Sequence, residues 1–248
     1  MLLTILFFTI IGSVFSLLGG IILLFAKKTT LKISHLLISF AAGTLLGTAF
    51  FDLMPEAIEQ AGEINIFLWV TFGVLFFFII ERFLNWFHFH SHEEWEEKKS
   101  KPTIPLIILG DGIHNFIDGV VIAATFLVSV PLGIITTLAV AAHEIPQELG
   151  DFAIFIHNGV SRKKTIMVNL ASALISILGA LITFFLRESI QSSLPIFLSL
   201  TAGFFIYIAS SDLIPEIHHG EKKGFAFMET VLLIVGAFLI YFLVGVLE

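Results

Sequence analysis

The chain of 248 residues contains no cysteine, so neither disulfides nor thiolate metal sites are available to it. Any metal must be held by His, Asn, Gln and carboxylates. Charge is scarce as well. Asp, Glu, Lys and Arg make up 13% of the residues, against about 25% in a soluble globular domain. With 13 basic and 20 acidic residues the net charge is −7. In a chain this apolar that value says little about soluble partners; no nucleic-acid partner is expected, and where the charges fall matters more than their sum.

What the chain has in quantity is apolar: 57% hydrophobic residues, among them 28 phenylalanines. Apolar runs of about 18 residues or more recur from end to end, the mark of a polytopic helical membrane protein in contact with a lipid bilayer. The first run has no basic segment before it and no obvious cleavage site, and is too long for a signal peptide, so it is read as a span. Eight spans are expected, near 2–25, 33–57, 64–84, 104–128, 131–157, 164–187, 194–217 and 224–247. Residues 1–248 then form one all-α membrane domain, with 85–102 as its largest loop.

Positive charge tests that count. Lys27, Lys28 and Lys32 fall between spans one and two; Arg82, Lys98, Lys99 and Lys101 between three and four; Arg162, Lys163 and Lys164 between five and six; Lys222 and Lys223 between seven and eight. Of the 13 basic residues only Arg187 lies on the other face. Eight spans with both termini outside the cytoplasm satisfy this segregation, and one span more or fewer destroys it.

An internal repeat fits the same arrangement. "SFAAGTLLGTAFFDLMPEAIEQ" (39–60) resembles "SLTAGFFIYIASSDLIPEIHHG" (199–220) in the frame Asp-Leu-x-Pro-Glu. The copies lie on spans two and seven, an odd offset, so they cross the membrane in opposite senses. Spans 1–3 and 6–8 are therefore expected as inverted repeats around a central pair, a 3+2+3 plan common among secondary transporters. Two helix-terminal Pro-Glu caps would explain the frame more plainly.

The central pair carries the polar groups. Span four reads "LGDGIHNFIDGVVIAA", with Asp111, His114, Asn115 and Asp118 within a stripe roughly 100° wide. Span five places His143, Glu144, Gln147, Glu148 and Asp151 within an arc of roughly 140°. Two such faces buried in lipid can converge on one cation, and their carboxylates offset its charge. Imidazole with carboxylate suits zinc, and less readily Fe2+, Mn2+ or Cd2+; no organic cofactor is expected. Pro146 removes an N–H from the fifth span, which should kink there and leave the Ala142 carbonyl for another partner. Gly112, Gly119 and Gly150 allow close helix approach.

Other chemistries account for less of the pattern. "HEIPQ" resembles the zinc-protease motif H-E-x-x-H, but Gln147 stands where the second histidine belongs and Pro146 interrupts the helix. Haem held by His114 and His143 does not explain the carboxylates around them, and a ligand-free hydrogen-bond network does not need so many groups. A membrane protein that binds or senses metal without moving it remains the main alternative.

"HNFIDG" (114–119) followed by "HEIPQELGD" (143–151) resembles the paired signatures of the ZIP family of divalent metal-ion transporters, nearest the branch with H-N-x-x-D-G and H-E-x-P-H-E-L-G-D. The resemblance implies a transporter rather than an enzyme, moving zinc into the cytoplasm by an elevator-like shift of one helix bundle against another, commonly as a homodimer. By motif it assigns His114, Asp118, His143 and Gln147 to a primary metal site, and Asn115, Asp118, Glu144 and Gln147 to a second. The chain departs from the branch at Gln147, a histidine there, and at Ser176, where relatives with two metals place a glutamate.

Outlying groups suggest an accessory path. Asp52 and Glu56, with Glu59 and Glu63, form an acidic outer mouth that concentrates cations. Asp111, Glu148, Asp151, His157, Asp212, Glu216, His218 and His219 lead inward, and His88, His90 and His92 with four glutamates suit the cytoplasmic loop to weak chelation. The absence of cysteine and the small extramembrane share fit a prokaryotic plasma membrane.

Overall fold

The computed structural model describes residues 1–90, 104–157, 159–218 and 226–247, and these are all-helical. Helices α1 (Leu2–Val14) and α2 (Leu17–Thr48) lead through a π-helical turn, Ala49–Leu53, into α3 (Met54–Gln60). Then come α4 (Ile66–His90), α5 (Ile104–Val128), α6 (Val130–His157), α7 (Arg162–Ala173), α8 (Ile175–Phe185) and the single turn α9 (Arg187–Ile190). A 3-10 turn, Gln191–Ser193, precedes α10 (Leu194–Tyr207); a second π-helical turn, Ile208–Leu213, joins it to α11 (Ile214–His218), and α12 (Ala226–Leu247) follows.

Among the described residues six helical stretches are long and apolar enough to cross a membrane: His35–Gln60, Ile66–Phe83, Ile108–Val128, Arg162–Phe185, Arg187–Ile217 and Ala226–Leu247. Rings and branched chains such as Phe67, Phe72, Phe227 and Phe242 cover their outer faces, as lipid contact requires. α1 is apolar but shorter, and α6 is long but carries the polar motif, so hydropathy alone passes over it.

Three expected boundaries need correction. No non-helical loop separates spans one and two, because helical backbone runs unbroken from Leu17 to Thr48. Yet Leu17, Ile21 and Leu37 all pack into one apolar cluster around Phe152. The expected loop 85–102 also starts too early, since α4 continues to His90. The sixth span is broken at Leu174, which ends α7 and begins α8. Helical backbone continues through Pro146 in α6, the position whose missing N–H leads to the expectation of a kink.

The repeated sequence returns as repeated geometry. Pro55 and Pro215 each lack an N–H, so the carbonyl four residues back loses its helical donor. Both copies answer with a π turn: Met54 N–H donates to the Ala49 carbonyl, and Ile214 N–H to that of Ala209. These are i−5 bonds, with Asp52 and Asp212 inside the two turns, and not the helix-end caps that a Pro-Glu frame also allows. Glycines match too. Gly43 of α2 packs against Gly236 and Leu233 of α12, and its repeat mate Gly203 of α10 packs against Gly73 and Val70 of α4. At all four a β-carbon would run into the partner's backbone, so helix axes approach as closely as small residues allow.

α5 nests against α8 in the same way, Gly119 on Ser176 and Gly179 on the Phe116 carbonyl. α1, α5, α6 and α8 thus form one group, and α2, α4, α10 and α12 another, with α6 lying along α2 where they meet. The polar face of α5 and α6 is held inside that arrangement.

Candidate metal centre

One turn of α-helix separates His114 from Asp118 on α5, and His143 and Glu144 are adjacent on α6. Antiparallel packing of these helices brings four ligand atoms within 4.8 Å of one another. His114 Nε2 lies 3.1 Å from His143 Nε2. Glu144 Oε1 is 3.4 Å and Asp118 Oδ2 3.7 Å from His114 Nε2; Asp118 Oδ2 is 3.5 Å and Glu144 Oε1 4.0 Å from His143 Nε2. Ligand bonds of about 2.0–2.1 Å in a tetrahedron imply edges of about 3.4 Å. The measured separations bracket that edge.

Burial and hydrogen bonding prepare these atoms to receive a cation. His143, Asp118 and Glu144 are at most 2% exposed. The Ala139 carbonyl accepts a hydrogen bond of 3.1 Å from His143 Nδ1, so the neutral ring keeps its lone pair on Nε2, facing the centre. Asp118 Oδ2 and both Glu144 oxygens have no hydrogen-bond donor. Buried carboxylate oxygens are costly to leave unpaired, and a shared divalent cation satisfies them all at once.

Gln147 and Asn115 take a different part. Gln147 Nε2 donates to Asp111 Oδ1 at 3.3 Å; Asn115 Nδ2 donates to the same oxygen at 3.1 Å and to the Asp111 carbonyl at 3.2 Å. Both amides brace Asp111, one turn from the quartet, while Asn115 Oδ1 remains unpartnered. Glu144 completes the quartet of His and carboxylate atoms, and Gln147, which the resemblance assigns to the primary site, lines the cavity beside His114. Gln147→Ala should weaken zinc binding by about 10–100-fold without abolishing it, the scale of a lost supporting contact; competition with a zinc-sensitive dye on the purified protein measures this, and complete loss of binding would restore Gln147 as a ligand. Ser176 packs beside Gly119, and its hydroxyl donates to the Ala173 carbonyl at 2.6 Å. It supplies no carboxylate to the centre.

A cavity of about 270 Å³ reaches the quartet from one side, lined by Phe77, Glu81, Asp111, His114, Gln147, Asp151 and Asp212 among others. Asp151 and Asp212 therefore stand on a route to His114. Glu81 and Tyr207 are additions: Tyr207 Oη donates to Glu81 Oε2 at 2.6 Å, tying α10 to α4 beside the cavity. A lone acid at the basic end of an apolar span was the available signal for Glu81. On the opposite side Asp52 is buried, whereas Asp212, its repeat mate, is exposed. Glu56 is half-buried and Glu216 exposed. His88, His90, His157 and His218 end helices whose side chains there lie outside the described residues, as do His92 and His219 altogether.

Comparison with known proteins gives concordant results. A family described as "ZIP Zinc transporter" matches residues 1–105 and 88–244. "Zinc transporter ZIP13" of Pongo abelii is 32% identical over 217 residues, 81% of this chain and 63% of that protein. "Zinc transporter ZIP10" of Mus musculus is 39% identical over 140 residues, 55% of this chain and 17% of its own length. "Zinc transporter zipt-7.2" of Caenorhabditis elegans is 30% identical over 264 residues, 83% of this chain and 57% of that protein. The chain thus spans less than two thirds of each of these relatives.

Proposed function

Because the chain belongs to the ZIP zinc transporter family, we propose that it is a multi-pass membrane transporter carrying zinc into the cytoplasm through the centre between α5 and α6. The observation that carries this reading is the buried quartet of His114, Asp118, His143 and Glu144, whose ligand atoms lie within 4.8 Å, at the end of a one-sided cavity. Two imidazoles and two carboxylates suit zinc, with Fe2+, Mn2+ and Cd2+ as secondary substrates. The two carboxylates also cancel a divalent charge held in low dielectric.

The direction of transport follows from charge. The cavity borders the ends of α4, α6 and α10, which lead into the segments holding 9 of the 13 basic residues; the positive-inside rule makes that side cytoplasmic. On this orientation both termini lie outside, eight spans adopt the 3+2+3 plan, and Asp111, Glu148, Asp151 and Asp212 conduct the outgoing ion. The matched close contacts of α2 with α12 and α4 with α10 support an elevator in which α1, α5, α6 and α8 move against them as a body. We retain the homodimer and the prokaryotic plasma membrane as parts of this reading. Protease chemistry has lost its ground, since Gln147 is bonded to Asp111 and the family is one of transporters.

Proteoliposomes loaded with a zinc indicator separate transport from static binding. Wild-type protein should give saturable zinc entry above that of empty liposomes; zinc bound to the protein with no uptake would establish a binding or sensing protein instead.

A further inference from the structure

The two histidines of the quartet are each met by a ring that belongs to neither of its helices. Phe77 of α4 stands perpendicular to His114, with ring centres 5.9 Å apart and planes at 88°. Phe205 of α10 meets His143 at 6.1 Å and 62°. Both are edge-to-face arrangements, within the range at which aromatic rings attract and hold an orientation. His114 and His143 complete the row, 5.3 Å apart at 77°. Each imidazole of α5 and α6 thus has one phenyl ring against it, supplied by the helix group that does not carry the ligands.

The seat of Phe77 is built along one face of α4. Gly73, Phe77 and Glu81 follow at four-residue intervals and so form a single stripe. Gly73 lies against Gly203 of α10. The Phe77 ring packs on Phe204 and Tyr207 at 5.5 and 5.6 Å, and Glu81 accepts the Tyr207 hydroxyl. Contacts on both sides of it along the stripe leave the ring little freedom to turn from His114.

The two rings differ in their relation to water. Phe77 and His114 line the cavity, and 13% of the His114 side chain is open against 1% of His143. Phe77 therefore covers part of the side from which water could reach an ion, whereas Phe205, buried and away from the cavity lining, closes the dry side behind His143. Neither ring offers a lone pair. An ion among His114, Asp118, His143 and Glu144 has four ligands, and these two directions supply no other. Zinc is satisfied by a tetrahedron of four, whereas manganese suits an octahedron of six. We propose that Phe77 and Phe205 are specificity-determining residues: they hold the imidazoles in place and close the quartet against added water ligands, so that it favours four-coordinate ions. The proposal rests on the reading of the quartet as a zinc centre.

Cobalt reports the coordination number directly, because a four-coordinate ion absorbs visible light far more strongly than a six-coordinate one. The purified full chain in detergent, loaded with Co2+, should show intense bands, as should Phe72→Ala, whose ring lies on the lipid face. In Phe77→Ala the bound cobalt should lose most of that intensity. The preference for zinc over manganese, measured by competition between the two ions, should fall at least about tenfold in the same variant. Phe77→Leu and Phe205→Leu, which keep most of the side-chain volume, should shift both readouts in the same direction and by less; a melting curve shows which variants are folded. A wild-type spectrum and preference in folded Phe77→Ala, or in both leucine variants should the alanine variant not fold, overturns the proposal and leaves the quartet standing. Wild-type protein that binds neither zinc nor cobalt overturns it together with the zinc reading.

Discussion

Replacing His143 with alanine should lower the initial rate of zinc uptake about 100-fold or more, since even outer partners of metal ligands are worth 10–100-fold. His143 contacts the centre at three points, 3.1 Å from His114, 3.5 Å from Asp118 and 4.0 Å from Glu144. Its ring is fixed by the Ala139 carbonyl, so no neighbouring nitrogen can swing into its place. Alanine leaves Asp118 and Glu144 as buried carboxylates with one imidazole between them, a poor match for zinc. Helix propensity favours alanine, and the expected loss is therefore of transport rather than of fold. Uptake by proteoliposomes, beside a melting curve of the same preparation, measures both. Wild-type rates in a folded variant would mean that zinc crosses elsewhere.

The second large effect concerns the close contacts of the helices. Gly43→Val should destabilise the protein by about 3 kcal/mol or more, at or above the upper end of ordinary overpacking. The obstacle is the Leu233 carbonyl, and backbone cannot rotate aside as a side chain can. Gly203→Val, in the mate position, meets the Val70 carbonyl and should behave alike. Gly245→Val, with nothing near its β-carbon, should be close to neutral. Thermal midpoints in detergent will rank the three, and equal midpoints for Gly43→Val and Gly245→Val would show that α2 and α12 do not pack as described.

Parts of this were legible in the sequence for identifiable reasons. α5 runs from Ile104 to Val128, the bounds its apolar run leads one to expect. Convergence of His114, Asp118, His143 and Glu144 follows from helical spacing on two facing spans. The orientation of Gln147 was not legible. An amide donates as well as accepts, and the buried Asp111 carboxylate claimed its donor end, a competition that sequence spacing does not express. Leu174 was equally opaque, since neither proline nor glycine marks that break, and its N–H still bonds the Leu170 carbonyl at 3.1 Å. The π turns were half visible: proline announces a lost hydrogen bond, but either a cap or a register shift can absorb it.

The π turns around Asp52 and Asp212 carry one consequence more. Two segments with the same frame and the same backbone distortion present their aspartates differently, one enclosed and one open to solvent. The difference lies in packing and not in backbone: one and the same π turn holds its aspartate shielded in one half and open to solvent in the other.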